Sequence, residues 1–363
     1  MSRKKILLFT LVVTFVLQTQ NSFAQKKKNF GGDDASGHAV GISLGPAWAL
    51  TDLGGANKIS TPFIKDLDFP GTKFGLSAFY KYHINEWVAV RANLMWAMLH
   101  GDDRFISGPD VYAVHSDVND AFFRKVRNLD FKTHLFQINA MAEVNLKKYD
   151  PRAYGKGDKL RWAPYVGGGV GMFFFNPWTK TFDATNVADN PYISTAEATA
   201  LEEYNGKKIK LRKLATEGSS YKPINFNLSA MLGIKFNVSE RISVALEGWY
   251  HQTFTDRLDD VDGNYPNLDV YTAMTPLQKA MSVRYYEIAS DIDPNGYYSA
   301  SIWSGNTGQE RGDNNITDAK GKNDQFFNIH ATVTINLLRN NKGKSFGCGS
   351  RNPYNHKFSC PKW

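Results

Sequence analysis

Phe74-Gly75-Leu76-Ser77-Ala78-Phe79-Tyr80-Lys81-Tyr82-His83-Ile84 alternates with a period of two. Its even positions (Phe74, Leu76, Ala78, Tyr80, Tyr82, Ile84) are apolar, whereas the odd ones (Gly75, Ser77, Phe79, Lys81, His83) are mostly small or polar. Successive side chains of a strand point to opposite faces, so this stretch is a strand with one greasy face and one wetter face. The same pattern recurs in Val88–Met98, Phe136–Leu146, Ile224–Asn237, Ile242–His251 and Phe327–Leu337. Two weaker stretches, Val40–Trp48 and Tyr165–Phe175, complete a set of eight, with glycines blurring the phase of the second.

Alternation also suits a soluble sandwich, whose apolar faces meet in a core. Three features favour a membrane barrel instead. Several strands reach eleven residues or more, whereas globular strands average roughly 5–6 and a tilted membrane strand needs roughly 9–11. The wetter faces carry Lys81, Arg91, Glu143, Lys235 and Glu247 at mid-strand, residues that belong in a polar lumen. Connections also alternate in length: His83–Trp87 and Val238–Ile242 are tight, and the link from Leu146 to Trp162 is moderate, but the segments near 176–222 and 255–324 are long. Short turns at one end and long loops at the other are the outer-membrane pattern. The expected fold is therefore an all-β, eight-stranded antiparallel transmembrane β-barrel over residues 39–338, with long external loops. An even strand count puts both termini on the periplasmic side. Trp87, Trp162, Tyr165 and Tyr250 are expected in the interface girdles.

Composition agrees. The chain has 363 residues, 42% hydrophobic and 13% aromatic, which excludes disorder throughout. Arg3, Lys4 and Lys5 precede an apolar run from Ile6 to Leu17, and Ser22-Phe23-Ala24 offers small residues at a cleavage site. Residues 1–24 thus read as a signal peptide, followed by a short periplasmic segment at 25–38. The apolar run is too short for a membrane anchor. Net charge is +8 over the whole chain, but no basic stripe of the nucleic-acid kind accompanies it.

An eight-stranded barrel has an interior that side chains can fill. Glu143 and Glu247 among Lys81, Arg91 and Lys235 are expected to form an internal ion-pair network rather than a catalytic pair, because buried charges persist only when paired. In the last loop, Thr255–Tyr265 carries Asp256, Asp259, Asp260 and Asp262. Clustered carboxylates suit calcium, but the spacing departs from the EF-hand loop, and a capped turn is the expected reading. No cofactor is expected. Thr275-Pro276 opens a helical stretch to about Ile288, and Ser194-Thr195 opens a short helix through Glu203. The external loops should therefore be folded.

Phe74-Gly75-Leu76 through Trp87, Gly101-Asp102-Asp103, Pro164-Tyr165 to Phe175-Asn176-Pro177, and Asp256-Arg257-Leu258-Asp259-Asp260-Val261 occur in an order that resembles the PorG-type barrels of the Bacteroidetes type IX secretion system. Arg257 stands where that family's pattern has an aromatic. The resemblance implies a non-enzymatic outer-membrane subunit that contacts the periplasmic ring, a lipoprotein and its ring partner. A place for that contact is residues 339–363, where Arg339, Lys342, Lys344, Arg351, Lys357 and Lys362 occur without one acid. Cys348 and Cys360 enclose eleven residues there and can form one disulfide in an oxidising periplasm. The basic turn from Lys147-Lys148 to Arg161 is a second candidate contact. The other partner is outer-membrane lipid. An adhesin acting through the long loops is the alternative. An enzyme is not expected, because His83, His134, His251 and His330 pair with no serine and carboxylate at a convincing spacing.

Overall fold

The structure is a computed structural model, and it describes residues 37–53, 69–106, 125, 127–151, 161–239, 241–262, 265–288 and 323–337. Eight long strands, β1 (Gly37–Leu50), β2 (Lys73–His83), β3 (Val88–Asp102), β4 (Asp130–Asn145), β5 (Trp162–Phe174), β8 (Ile224–Asn237), β9 (Ile242–Thr253) and β10 (Gln325–Leu337), each pair antiparallel with their neighbours in the chain. The pairing of β1 with β10, Val40 opposite Ile335, closes the ring. Two short strands, β6 (Trp178–Thr179) and β7 (Ile209–Lys210), extend the sheet beyond the barrel by pairing with β4 and with each other. They have no period to read, and the sequence offers no sign of them.

Face assignment follows the alternation. In β2, Phe74 and Leu76 are 65% and 48% exposed, while Phe79 and Lys81 are 5% and 3% exposed. Ile42, Leu94, Ile138, Val170, Phe226, Leu232 and Leu246 continue an exposed apolar band round the wall. A soluble monomer rarely leaves so large a contiguous apolar surface in water, so this band faces lipid.

The blurred phase of β5 has a physical cause. A Cβ built on Gly169 would stand 2.1 Å from the Ala140 carbonyl oxygen of β4, so only glycine lets the two backbones approach this closely. Tyr165 is a correction to the expected aromatic girdle. Trp87 and Trp162 are exposed and Tyr250 is half-buried, but Tyr165 is 1% exposed and lies inside the barrel. Its neighbours Pro164 and Val166 take the outward phase.

Tight turns form where short polar side chains can substitute for backbone partners. Asn85 Oδ1 accepts from the Trp87 and Val88 amides, each at 2.8 Å, and Ser239 Oγ accepts from the Ile242 amide at 3.0 Å. At the other end the long loops fold into a cap. Helix Thr195–Leu201 begins with a capping box between Ser194 and Glu197, and helix Pro276–Ser282 with one between Thr275 and Gln278 plus proline in the first turn. That second helix ends at Val283 and a 3-10 turn at Arg284–Glu287 follows. Phe182, Val187, Ile193, Leu201, Leu211, Leu258, Val261 and Met281 of the cap join Leu99, Phe131, Leu135, Phe173 and Phe326 of the strands in one buried cluster. The cap is thus an extension of the barrel's interior.

Candidate functional site: a filled lumen beneath a folded cap

The lumen is occupied in layers. Nearest the short turns, Glu143 lies between two ammonium groups, with Lys81 Nζ at 2.7 Å and Lys235 Nζ at 2.6 Å. Beside it, Arg91 Nη1 donates to Glu247 Oε1 at 2.7 Å, Tyr165 donates its hydroxyl to the same oxygen, and Trp249 Nε1 donates to Oε2 at 3.1 Å. The Arg91 guanidinium also sits 3.6 Å from the centroid of Phe79. All five charged side chains proposed for the interior thus meet in two adjoining ion-paired clusters. Burial of charge is tolerated here because each carboxylate has at least one cationic partner and a hydrogen-bond donor.

Above this layer the contacts are neutral. Asn93 donates to Asn139 at 2.7 Å, Ser229 and His251 are 2.8 Å apart, and His251 and Asn328 are 3.1 Å apart. Below it, Tyr149 from the β4–β5 turn closes the short-turn end: it is 2% exposed and donates to Asn237. No sequence pattern marks Tyr149, whose role depends on a turn folding back under the strands. The lumen cavity lined by Lys81, Tyr165, Lys235 and Glu247 holds only about 10 Å³, about one water's worth.

The acidic motif is spent on structure. Asp259 accepts from the Leu53 amide at 3.2 Å and the Val261 amide at 3.0 Å, tying the first external loop to the last. Asp260 has φ of 77°, a conformation aspartate tolerates, and accepts from the Thr216 and Tyr221 hydroxyls, each at 2.6 Å. Asp262 pairs with Arg257 at 2.8 Å, and Arg257 also meets Glu217 at 2.9 Å. Among the described residues no group of acids, histidines or cysteines is arranged to hold a metal ion.

Burial, followed by the proximity of Asp52, pushes the carboxyl groups of Asp256 and Asp259 up to about 8. Asp324 rises too, through burial and then Asp259. The folded cap therefore keeps protons that the unfolded chain releases near pH ~4. Their stabilising contribution is full below that value and is lost as pH rises through about 8. The expected outcome is that protease cleavage within 254–262 accelerates between pH 7 and pH 9, and that Asp259→Asn flattens this rise. Cleavage that is pH-independent in the parent chain would contradict the assignment.

A second polar centre was not foreseen. Arg284 is 1% exposed and donates to Glu287 through Nε at 2.9 Å and Nη2 at 2.8 Å, while Nη1 donates to Asp130. Thr179 donates to the same aspartate at 2.8 Å. Nearby, Arg127 meets Asp103 through Nε at 2.8 Å and donates to the Asp52 carbonyl at 2.7 Å. Four external connections converge on these two arginines.

The basic tail, with Arg339, Lys342, Lys344, Cys348, Arg351, Lys357, Cys360 and Lys362, lies outside the described residues, as do residues 1–24, expected to be a signal peptide, and most of the turn between Lys148 and Arg161. Lys147 lies 3.9 Å from the Trp162 ring centroid at the short-turn rim.

Comparison with solved structures returns outer-membrane proteins at low identity. Neisserial surface protein A aligns at 8% identity over 84% of this chain and 99% of its own, with a TM-score of 0.34. The OprG outer membrane protein of Pseudomonas aeruginosa aligns at 12% identity over 84% of this chain and 97% of its own, with a TM-score of 0.30. The attachment invasion locus protein Ail of Yersinia pestis aligns at 9% identity over 83% and 97%, with a TM-score of 0.29. No curated protein matches. The model of the outer membrane protein beta-barrel domain matches residues 8–274, well over half of the chain. That match, together with a closed eight-stranded wall whose apolar side faces outward, makes this chain an outer-membrane protein and a member of the outer membrane protein beta-barrel domain family.

Proposed function

We propose that this chain is a non-enzymatic anchoring subunit of the type IX protein secretion machinery, holding the periplasmic ring to the outer membrane. The observation that carries the reading is the filled lumen. A barrel whose interior is taken up by paired charges and amides offers surfaces rather than a passage, so its work falls to its ends. The order of motifs shared with PorG-type barrels supports the choice of machine. In this reading both termini are periplasmic and the cap is external. The tail at 339–363 meets an acidic surface of the ring, and a Cys348–Cys360 disulfide pre-orders it and lowers the entropic cost of association.

Deletion after Leu338 is expected to leave the barrel inserted while ring proteins no longer co-purify after crosslinking in native membranes. Cys348→Ser is expected to weaken the same capture. Undiminished capture by the tail-less protein would overturn the docking role. A second reading, surface adhesion, draws on the cap, which has its own capping boxes and buried cluster and so presents a defined shape. It would be favoured if the same crosslinking returned only extracellular ligands.

A further inference from the structure

The outward row of β4 changes character along its length. Ile138 and Phe136 are exposed apolar residues of the lipid-facing band, and the next outward positions towards the cap are His134 and Lys132. Lys132 is in register with Trp178 of β6, and Trp178 with Lys210 of β7, so the short strands place their side chains beside that row. Lys208 Nζ lies 4.1 Å from the Trp178 ring centroid and Lys132 Nζ lies 5.8 Å from it. The Trp178 ring stacks on His134 at 6.2 Å, and His134 stacks on Trp96 at 5.9 Å. The result is a ladder of rings running from the lysines down to the lipid-facing wall.

At the foot of that ladder the wall is concave. Trp96, Leu76, Leu94, Phe136, Met172 and Phe174 border a groove of about 540 Å³, almost wholly apolar. Its upper rim shows no counter-charge paired to its lysines among the described residues. Lys132, Lys180, Lys208 and Lys210 form no ion pair among the described residues, and the Lys208 ammonium is held below its usual range by burial and then by Lys210 and Lys180. Trp178 Nε1 and His134 Nδ1 are buried with no hydrogen-bond partner among the described residues. Unmet ring nitrogens among unpaired ammonium groups suit a ligand rich in anionic oxygens.

We propose that this strip is a binding site for a phosphate-bearing lipid, with its phosphate among Lys132, Lys208 and Lys210 beside Trp178 and its acyl chains along the groove below. Charge complementarity selects phosphate. Continuity of the rim with the lipid-facing band selects a lipid over a soluble anion, because a free phosphate makes no use of the groove. The site is independent of any ring contact at the short-turn end.

The test uses the full mature protein in detergent, with native mass spectrometry of retained lipid. The probes are bisphosphorylated lipid A and the same lipid stripped of its phosphates. The parent protein is expected to retain the phosphorylated form selectively. The combined variant Lys132→Gln, Lys208→Gln, Lys210→Gln is expected to lose affinity on the order of a hundredfold, about fivefold per charge. Lys147→Gln, which removes a similar lysine–tryptophan contact at the opposite rim, is expected to leave lipid retention unchanged. Equal retention of both lipids would overturn the proposal. So would an unaffected triple variant, or an equal loss from Lys147→Gln. The three lysines are not part of the buried cluster, and an unchanged protease pattern of the cap checks that the variant is folded.

Discussion

Arg284→Met is expected to loosen the cap by about 3–5 kcal/mol, because it leaves buried carboxylates without their cation. Asp130 and Glu287 both lose their principal partner, and Thr179 remains as one donor to Asp130. The strands below carry their own hydrogen bonds and should stay paired. Hydrogen exchange therefore ought to separate the two regions: amides in 176–222 and 265–288 lose protection, while those of β8 and β9 keep it. Uniform protection across the cap would show that Arg284 does not organise it. Adding Asp130→Asn and Glu287→Gln to Arg284→Met should restore part of the loss, since neutral groups cost less to bury than unpaired charges.

Glu143→Gln is expected to have an effect of the same order on the barrel itself. Lys81 and Lys235 both point their ammonium groups at this carboxylate, and an amide cannot balance two buried charges. The expected result is a loss of about 3–5 kcal/mol in urea unfolding measured in bilayers, read as a lowered midpoint with little change in slope. Replacing the whole group, Lys81→Met with Glu143→Leu and Lys235→Met, should recover most of that loss. Burying matched apolar side chains is often no worse than burying an ion network. If the triple variant fell further than the single one, the network would be contributing net stability beyond its own desolvation.

The barrel was legible in the sequence because a two-residue period survives any tertiary arrangement. Most residues from Phe74 to His83 declare their face by polarity, with Phe79 an inward-facing exception, and the ring closure between β1 and β10 adds nothing that changes this. Where the period failed, a local cause overrode polarity. Tyr165 looks like a girdle aromatic, yet it turns inward because Glu247 offers its hydroxyl an acceptor. The glycines of β5 hide the phase, since a residue without a side chain cannot announce its face. The lumen charges were readable for the same reason as the strands, but their pairing was not. Lys81 meets Glu143 across 62 positions of chain and Arg91 meets Glu247 across 156. The cap was the least legible part. Ser194-Thr195 and Thr275-Pro276 announced helix starts through short-range capping, whereas Arg284 and Asp130 are 154 positions apart and neither carries a local mark of the other.

The most direct test of the account asks which side of each strand meets lipid. Single cysteine substitutions through Phe74–His83 and Val88–Met98, labelled with a fluorophore in reconstituted vesicles, can be read with a quencher dissolved in the acyl region. Quenching should alternate: strong at 74, 76, 78, 80, 90, 92 and 94, and weak at 77, 79, 81, 91 and 93, where side chains fill the interior. A reversed alternation, or equal quenching at neighbouring positions, would contradict a lipid-facing barrel with a packed lumen.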